Sequence, residues 1–132
     1  MNRWVGILLS VVLCFVSAGC AGDRASLENL LASNQSKLIH MSLGMTKSEV
    51  IALMGTATAK TNDGVVNNPW TAESFTDKGG AQYEVLFYVT RKNPPFTPIR
   101  KSLTTPIVLK DGKVIGWGDD ALQRAIADRA TQ

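Results

Sequence analysis

Few side chains in this sequence combine the residue type and the spacing that catalysis or metal binding requires. His40 is the only histidine, and no cysteine or second histidine lies at ligand spacing from it. No serine stands in the Gly-x-Ser-x-Gly arrangement that exposes a nucleophile on a strand-to-helix turn. We therefore expect His40 to be a solvated or helix-capping residue, and we expect no enzymatic activity, no metal site and no cofactor.

Two further polar motifs have a structural interpretation. The carboxylates of Asp119-Asp120 are able to hold a cation, but the N-terminus of a helix attracts carboxylates without any metal. Lys78-Gly79-Gly80 lacks the other features of a phosphate-binding loop. We interpret the first as the capped start of a helix and the second as a turn that leads into a strand.

The surroundings of Cys20 favour a chemical role more than those of any other residue. Arg3 is followed by an uncharged apolar run over 4–16 and by the small residues Ser-Ala-Gly at 17–19. This is the layout of a signal peptide, and the run is shorter than the about 20 apolar residues that a membrane-spanning helix needs. We therefore interpret 1–19 as a cleaved signal peptide rather than a retained anchor helix.

Val16 to Cys20 resemble the lipoprotein box of bacteria, in which the cysteine thiol is alkylated with diacylglycerol and the peptide bond before that cysteine is cleaved. The resemblance implies a lipid on Cys20 and a lipidated tether over 20–26. Cys14 falls within the signal peptide, so the mature chain would keep one cysteine and could form no internal disulfide. Acylation explains such a lone thiol in an oxidising compartment.

The lipid interpretation has an alternative and a consequence. Ordinary secretory cleavage after Ala18 or Ala21 would leave a soluble protein. If Cys20 is lipidated, Ala21 decides the location, because lipoproteins of Gram-negative type that stay at the inner membrane typically carry aspartate there. We therefore expect an outer-membrane protein that faces the periplasm.

The remaining chain, 27–132, predicts one domain of α+β class. A total of 132 residues suits a single domain, and the formal charge of +3 is too small to indicate nucleic-acid binding. Helical spacing and period-two alternation predict helices at 25–39, 47–54 and 120–129, and strands at 56–61, 83–91, 105–109 and 113–117. The segment 70–75 is either a short strand or part of the polar loop that follows Asn62-Asp63-Gly64. These elements predict two layers, with two N-terminal helices packed on a three- to four-stranded antiparallel sheet and a C-terminal helix.

Three local signals support these elements. Thr46 and Glu49 form a capping box before the helix at 47–54, and Gly55 ends that helix. Asp111-Gly112 predicts a type I′ hairpin. In the strand at 83–91 we expect the set that begins with Tyr83 to face the core. The weakest point of the first helix is predicted at Asn34-Gln35-Ser36.

Residues 43–55, Leu-Gly-Met-Thr-Lys-Ser-Glu-Val-Ile-Ala-Leu-Met-Gly, resemble the opening motif of small lipoproteins of the SmpA/OmlA (BamE-like) type. Residues 105–118 resemble the closing hairpin of related, mostly uncharacterised envelope lipoproteins. The resemblance covers about 38–118 and implies a lipid-anchored BamE-like domain in the periplasm. It also implies, by the best-known branch, a role in inserting β-barrels into the outer membrane.

The most prominent predicted surface feature is the basic, proline-rich connection over 91–101. Arg91, Lys92, Arg100 and Lys101 bracket Phe96 and are able to present an apolar tip between positive flanks to a partner or a membrane. The alternative is a hairpin loop that is charged for solubility and stiffened by proline.

These observations give two expectations for function. The first is a lipid-anchored envelope protein that acts as an accessory or scaffold through contacts with another envelope protein, in outer-membrane protein assembly or envelope integrity. The second is a periplasmic module that binds a small ligand, peptidoglycan or a polypeptide.

Overall fold

The computed structural model describes residues 25–95 and 97–131. Cys20, the predicted lipid-attachment residue, and Phe96 of the predicted contact loop lie outside the described residues. The elements in chain order are β1 (Ala25–Ser26), α1 (Leu27–Leu38), α2 (Lys47–Met54), β2 (Ala59–Thr61), β3 (Gly64–Val66), β4 (Thr71–Thr76), β5 (Gln82–Val89), a 3-10 helix (Lys101–Leu103), β6 (Thr104–Lys110), β7 (Lys113–Trp117) and α3 (Asp119–Thr131).

A four-stranded antiparallel sheet in the order β4-β5-β6-β7 forms the centre of the domain. Its strands carry β-branched and aromatic side chains, which pack well on a pleated surface. The predicted α+β class, with helices packed on an antiparallel sheet and a helix at the C-terminus, is confirmed. The open alternative at 70–75 is resolved in favour of a strand, because β4 pairs with β5 along its whole length.

Both faces of this sheet are buried. On one face Tyr83, Val85 and Phe87 pack with Val108 and with the alanines of α3, as predicted for the set that begins with Tyr83. On the other face lies the cluster that α2 covers, formed by Met41, Val50, Met54, Leu86, Tyr88, Ile107, Leu109 and Val114. The C-terminal helix therefore adds a layer opposite α2, and both sets of side chains in β5 face a core.

A smaller three-stranded sheet lies beside α1. β1 runs parallel to β2, which pairs with β3 in antiparallel register. The prediction of a loop directly after Asn62-Asp63-Gly64 is wrong, because Val66 in β3 is buried with Leu30 and Leu31 of α1. The pairing of β1 also extends the folded part to at least Ala25, two residues before the predicted boundary.

The first helix is continuous through Asn34, so no break occurs at the predicted weak point. Ser26 caps this helix by accepting a hydrogen bond from Asn29 N at 3.3 Å. Asn34 is buried, and its amide nitrogen donates to Asn68 Oδ1 at 2.9 Å and to Val89 O at 2.8 Å. These tertiary hydrogen bonds hold a residue of low helix propensity inside the helix.

The local signals for α2 and the hairpin are confirmed. Glu49 accepts hydrogen bonds from the backbone N–H and the hydroxyl of Thr46 at 2.7 and 2.9 Å, and Glu49 N donates to Thr46 Oγ1 at 3.3 Å. Gly55 follows α2 with φ of 77°. Asp111 and Gly112 have φ of 49° and 80°, as a type I′ turn requires.

The C-terminal helix begins one residue earlier than predicted. Asp119 and Asp120 lie in its first turn rather than capping it, where their charges interact favourably with the helix dipole. Among the described residues, no helix has both the length and the apolar character needed to cross a membrane.

Candidate functional site

The proline-rich connection between β5 and β6 is closed at its base by the backbone. The N–H groups of Thr90 and Arg91 both donate to Leu103 O at 3.0 Å. Further along, Thr97 N donates to Pro94 O at 3.2 Å, and the side chain of Asn93 donates to Thr97 O. The described residues of this connection therefore form an ordered loop that is held by its own hydrogen bonds.

Three of its four predicted cations form ion pairs with other elements. Arg91 donates to Asp119 of α3 at 3.1 Å and to Ser102 O at 2.7 Å. Lys92 lies 3.0 Å from a carboxylate oxygen of Glu28 in α1. Lys101 pairs with Glu73 of β4, and its ammonium lies 5.2 Å from the centre of the Phe87 ring. Thus α1, β4 and α3 each hold the loop by one carboxylate.

Arg100 differs from the other three cations. It is exposed, and within the described ranges it forms no ion pair. The three paired cations are also at least half exposed, and exposed ion pairs contribute only about 0–1 kcal/mol. Such pairs position the loop, but the carboxylates of a partner can readily replace the carboxylates of this chain in them. The sequence could not show this pairing, because the acidic partners lie far away along the chain.

Two open clefts flank the loop. One, of about 330 Å³, lies between Pro94-Pro95 and the β2–β3 turn, and the side chains of Asn62 and Asp63 line it. The other, of about 350 Å³, lies between Pro94 and Arg100. Both are near the lower end of the range that ligand pockets occupy, roughly 300–1,000 Å³.

The loop lies at the end of the domain where the described chain begins. Its Lys92 contacts Glu28 in the first turn of α1, two residues after β1 ends. The β2–β3 turn, which lines the first cleft, belongs to the same small sheet as β1. We call this region the loop end of the domain and define it by Ala25, Glu28, Asn62 and the loop 91–101.

The other predicted polar motifs take structural positions. His40 is exposed just after α1, and its backbone N–H donates to Lys37 O at 3.0 Å. The segment 78–80 is a turn, where Ala81 N donates to Asp77 Oδ1 at 2.9 Å. No group of three or more His, Cys, Asp or Glu side chains comes together in the described part of the chain.

A second surface feature was missed by sequence reasoning. Leu43, Ile115 and Trp117 are exposed to 69%, 44% and 37%, although all three are large and apolar. They line one groove together with Gly116 and Arg124. The available signal was the alternation in β7, where apolar side chains stand at the positions that alternate with the buried Val114 and Gly116.

A family model described as "Protein of unknown function (DUF3192)" matches residues 10–124. Because the match covers most of the sequence, the chain belongs to this family. Searches of curated proteins and of solved structures each found no match.

Proposed function

We propose that this member of the DUF3192 family is a lipid-anchored protein of the cell envelope that acts as an accessory or scaffold through protein contacts. The signal-peptide layout and the small residues before Cys20 support the anchor. The resemblance of 43–55 to the SmpA/OmlA opening motif is the reason to propose a role in outer-membrane protein assembly or envelope integrity. The proposal assigns no catalysis to the chain.

The observation that carries the proposal is the short distance between the anchor and the loop end. Five peptide units join Cys20 to Ala25, where β1 begins. A chain of that length spans at most about 18 Å. An acylated Cys20 would therefore keep the loop end close to the membrane, within reach of membrane-embedded proteins.

The charge of the loop supports a protein contact in this position. Arg100 forms no ion pair with the described residues, and the exposed pairs of Arg91, Lys92 and Lys101 are weak enough to be replaced by a partner's carboxylates. The hydrogen bonds at the loop base keep the backbone in place while side chains exchange. A loop that is fixed in this way loses little conformational entropy on binding.

Photocrosslinking in intact cells tests the proposal. A photoreactive residue at Arg100 is expected to label an outer-membrane β-barrel protein or another envelope protein, and the label should be lost when Cys20→Ala removes the anchor. The matched control is Asp128, an exposed position on α3 more than two turns from its Arg91 contact. Equal labelling from both positions, or labelling that does not depend on Cys20, would contradict the proposal.

A periplasmic binding module is the second candidate, and the cleft between Pro94-Pro95 and Asn62-Asp63 favours it. Such a module needs no anchor to bind its ligand. Titration of the Cys20→Ala protein with peptidoglycan fragments would distinguish the two functions. Saturable binding that Asn62→Ala weakens would favour the module, and no binding would favour the accessory role.

A further inference from the structure

The exposed apolar side chains at the end of β7 form a groove on the edge of the main sheet. Leu43, Ile115, Gly116, Trp117 and Arg124 line this groove, which has a volume of about 270 Å³. Leu43 comes from the connection between α1 and α2, and Arg124 comes from α3. The α1–α2 connection lies on the side of the sheet that α2 covers, and α3 covers the other side. The groove thus lies at the β7 edge of the sheet, where these two elements meet. We call it the edge groove.

A β-bulge shapes the groove. Leu109 pairs with Val114 and Val108 pairs with Gly116, so that Ile115 is an extra residue in β7 without a partner in β6. The bulge directs Ile115 outward. Gly116 also lines the groove, and α3 approaches it so closely that an added Cβ would lie 2.9 Å from Ala121 Cβ.

Part of the outer edge of β7 is already paired. Gly44 N donates to Val114 O and Val114 N donates to Met45 O, both at 2.8 Å, and Thr46 bridges to Lys113. The segment 44–46 therefore acts as a short additional strand. The chain leaves the edge at Gly44, whose φ of 83° turns it toward the core residue Met41.

Beyond Val114 the outer edge is open in the described structure. Gly118 N donates to Pro106 O at 2.8 Å, and Trp117 pairs with Ile107 in the adjacent position. Because hydrogen-bonded and non-hydrogen-bonded pairs alternate along an antiparallel ladder, the backbone groups of Trp117 point away from β6. An unpaired strand edge next to exposed apolar side chains is a template for another strand.

The size and charge of the edge groove identify its occupant. A volume of about 270 Å³ is below the range of small-molecule pockets, roughly 300–1,000 Å³, and suits one or two side chains of a longer chain. Arg124 forms no ion pair within the described ranges, while Asp119 on the same helix is engaged by Arg91. The groove therefore offers the positive charge of Arg124 beside an apolar surface and a strand edge.

We propose that the edge groove binds an extended segment of another protein by strand addition. The segment pairs its backbone with Trp117, places an apolar side chain against Leu43 and Ile115, and places an acidic side chain at Arg124. This interaction goes beyond the proposed function and does not need the lipid anchor, because the groove residues lie in the folded domain. Its failure would leave the anchoring proposal untouched.

Nuclear magnetic resonance titration of the isotope-labelled mature protein tests the inference. The probes are blocked hexapeptides that alternate threonine with apolar residues, such as acetyl-Thr-Phe-Thr-Val-Glu-Val-amide, with the glutamate moved through the odd-numbered positions. Each has a control peptide with glutamine in place of glutamate. We expect amide shifts confined to the edge groove for at least one glutamate peptide.

Variants separate the contributions of charge and apolar surface. Arg124→Gln is expected to lower the affinity for the glutamate peptide roughly tenfold and to leave the affinity for the glutamine peptide unchanged. Only the glutamate peptide loses a charge-assisted hydrogen bond in this variant. Ile115→Ser should lower the affinity for both peptides. The control is Ile126→Ser, which removes an apolar side chain that is 46% exposed on α3 and lies outside the groove. The spectra themselves report whether each variant is folded.

Three outcomes would overturn the inference. In the first, no peptide of the set shifts the groove residues. In the second, Arg124→Gln weakens glutamate and glutamine peptides equally, which would remove the argument for an acidic segment. In the third, the groove signals change with protein concentration alone, which would assign the edge to a second copy of this chain.

Discussion

Asn34 and Asn68 bury two side-chain amides against each other within the fold. The amide nitrogen of each donates to the carbonyl oxygen of the other, at 2.9 and 2.8 Å, and the remaining donors bond Val89 O and Met54 O at 2.8 and 3.1 Å. The pair thus joins α1 to β5 and to the last residue of α2. Buried amides stabilise a fold only while all their partners are present.

We predict that Asn34→Leu lowers the free energy of unfolding by about 2–4 kcal/mol, because it strands the amide of Asn68 and the carbonyl of Val89. Chemical denaturation measures the change. Ser36→Ala is the control, since Ser36 is exposed on the same helix and should change stability by less than about 0.5 kcal/mol. A loss of under about 1 kcal/mol for Asn34→Leu would show that water or a rearrangement satisfies the amides.

Tyr88 is one of two tyrosines in the sequence, and its buried hydroxyl has no hydrogen-bond partner among the described residues. Burial raises its pKa from 10.0 to about 12. The folded state therefore favours the neutral phenol, so this contribution to stability is complete below about pH 10 and is lost as pH rises toward 12. We predict that Tyr88→Phe reduces the alkaline loss of stability, as denaturation at several pH values would measure.

At neutral pH the same variant should be neutral or stabilising, because it removes a buried hydroxyl that lacks a partner. Absorbance titrations of the wild type and of Tyr88→Phe, compared, should show that Tyr88 ionises late and together with unfolding. Ionisation of Tyr88 near pH 10 in a protein that stays folded would contradict this prediction.

Glu49 gives the opposite dependence on pH. The hydrogen bonds from the backbone N–H and then the hydroxyl of Thr46 lower the pKa of this carboxyl from its ordinary value of 4.5. The carboxylate therefore contributes stability above about pH 4.5, and the contribution is lost as pH falls through the lowered pKa of the folded state. We predict that the stability difference between wild type and Glu49→Gln shrinks as pH falls below 4.5. A difference that stays constant across this range would contradict the capping role of the charge.

At the scale of elements, α3 approaches β7 so closely at Gly116 that a side chain there would clash with the helix. A Cβ at Gly116 would lie 2.9 Å from Ala121 Cβ, and both groups are within secondary structure. Ala121 and Ala125 face the sheet with small side chains, so α3 packs through backbone proximity rather than through large apolar groups.

We predict that Gly116→Ala destabilises the domain by about 1–3 kcal/mol, because α3 must move outward from β7. The double variant Gly116→Ala with Ala121→Gly should recover part of this loss beyond the sum of the single effects, which a double-mutant cycle of unfolding free energies measures. Strict additivity of the two changes would show that this contact does not position α3.

The elements that sequence analysis predicted well are those encoded by neighbouring residues. The Thr46–Glu49 capping box and the Asp111-Gly112 turn each depend on a few adjacent positions, and both appear as expected. The strands β1 and β3 were missed, because two or three residues carry too little periodicity to indicate a strand. Their existence depends on pairing with β2 and on the burial of Val66 under α1.

The candidate site was predictable only in part, for the same reason. The position of the loop 91–101 and its cations could be taken from the sequence, but the carboxylates that pair with three of them come from distant elements. The edge groove depends on a bulge at Ile115 and on where the α1–α2 connection crosses β7. The alternation in β7 indicates exposed apolar side chains, but neither the bulge nor the crossing has a local sequence signal.

At the scale of the whole molecule, α1 lies between the loop end and the edge groove. The helix has 12 residues and is therefore about 18 Å long. Glu28 in its first turn belongs to the loop end and contacts Lys92, and Leu43 of the edge groove follows the last residue of the helix by five residues. A lipid on Cys20 would hold the loop end close to the membrane and leave the edge groove exposed to the periplasm, where an extended segment of another protein reaches it.

The intact mass of the protein extracted from membranes tests the anchor, on which the proposed function rests, most directly. Wild type and Cys20→Ala should be compared from the same cells. We predict a mature chain that begins at Cys20 and carries acyl groups, and we predict that Cys20→Ala abolishes the acyl mass. An unlipidated wild-type chain that begins after Ala18 or Ala21 would contradict the account and favour a soluble binding module.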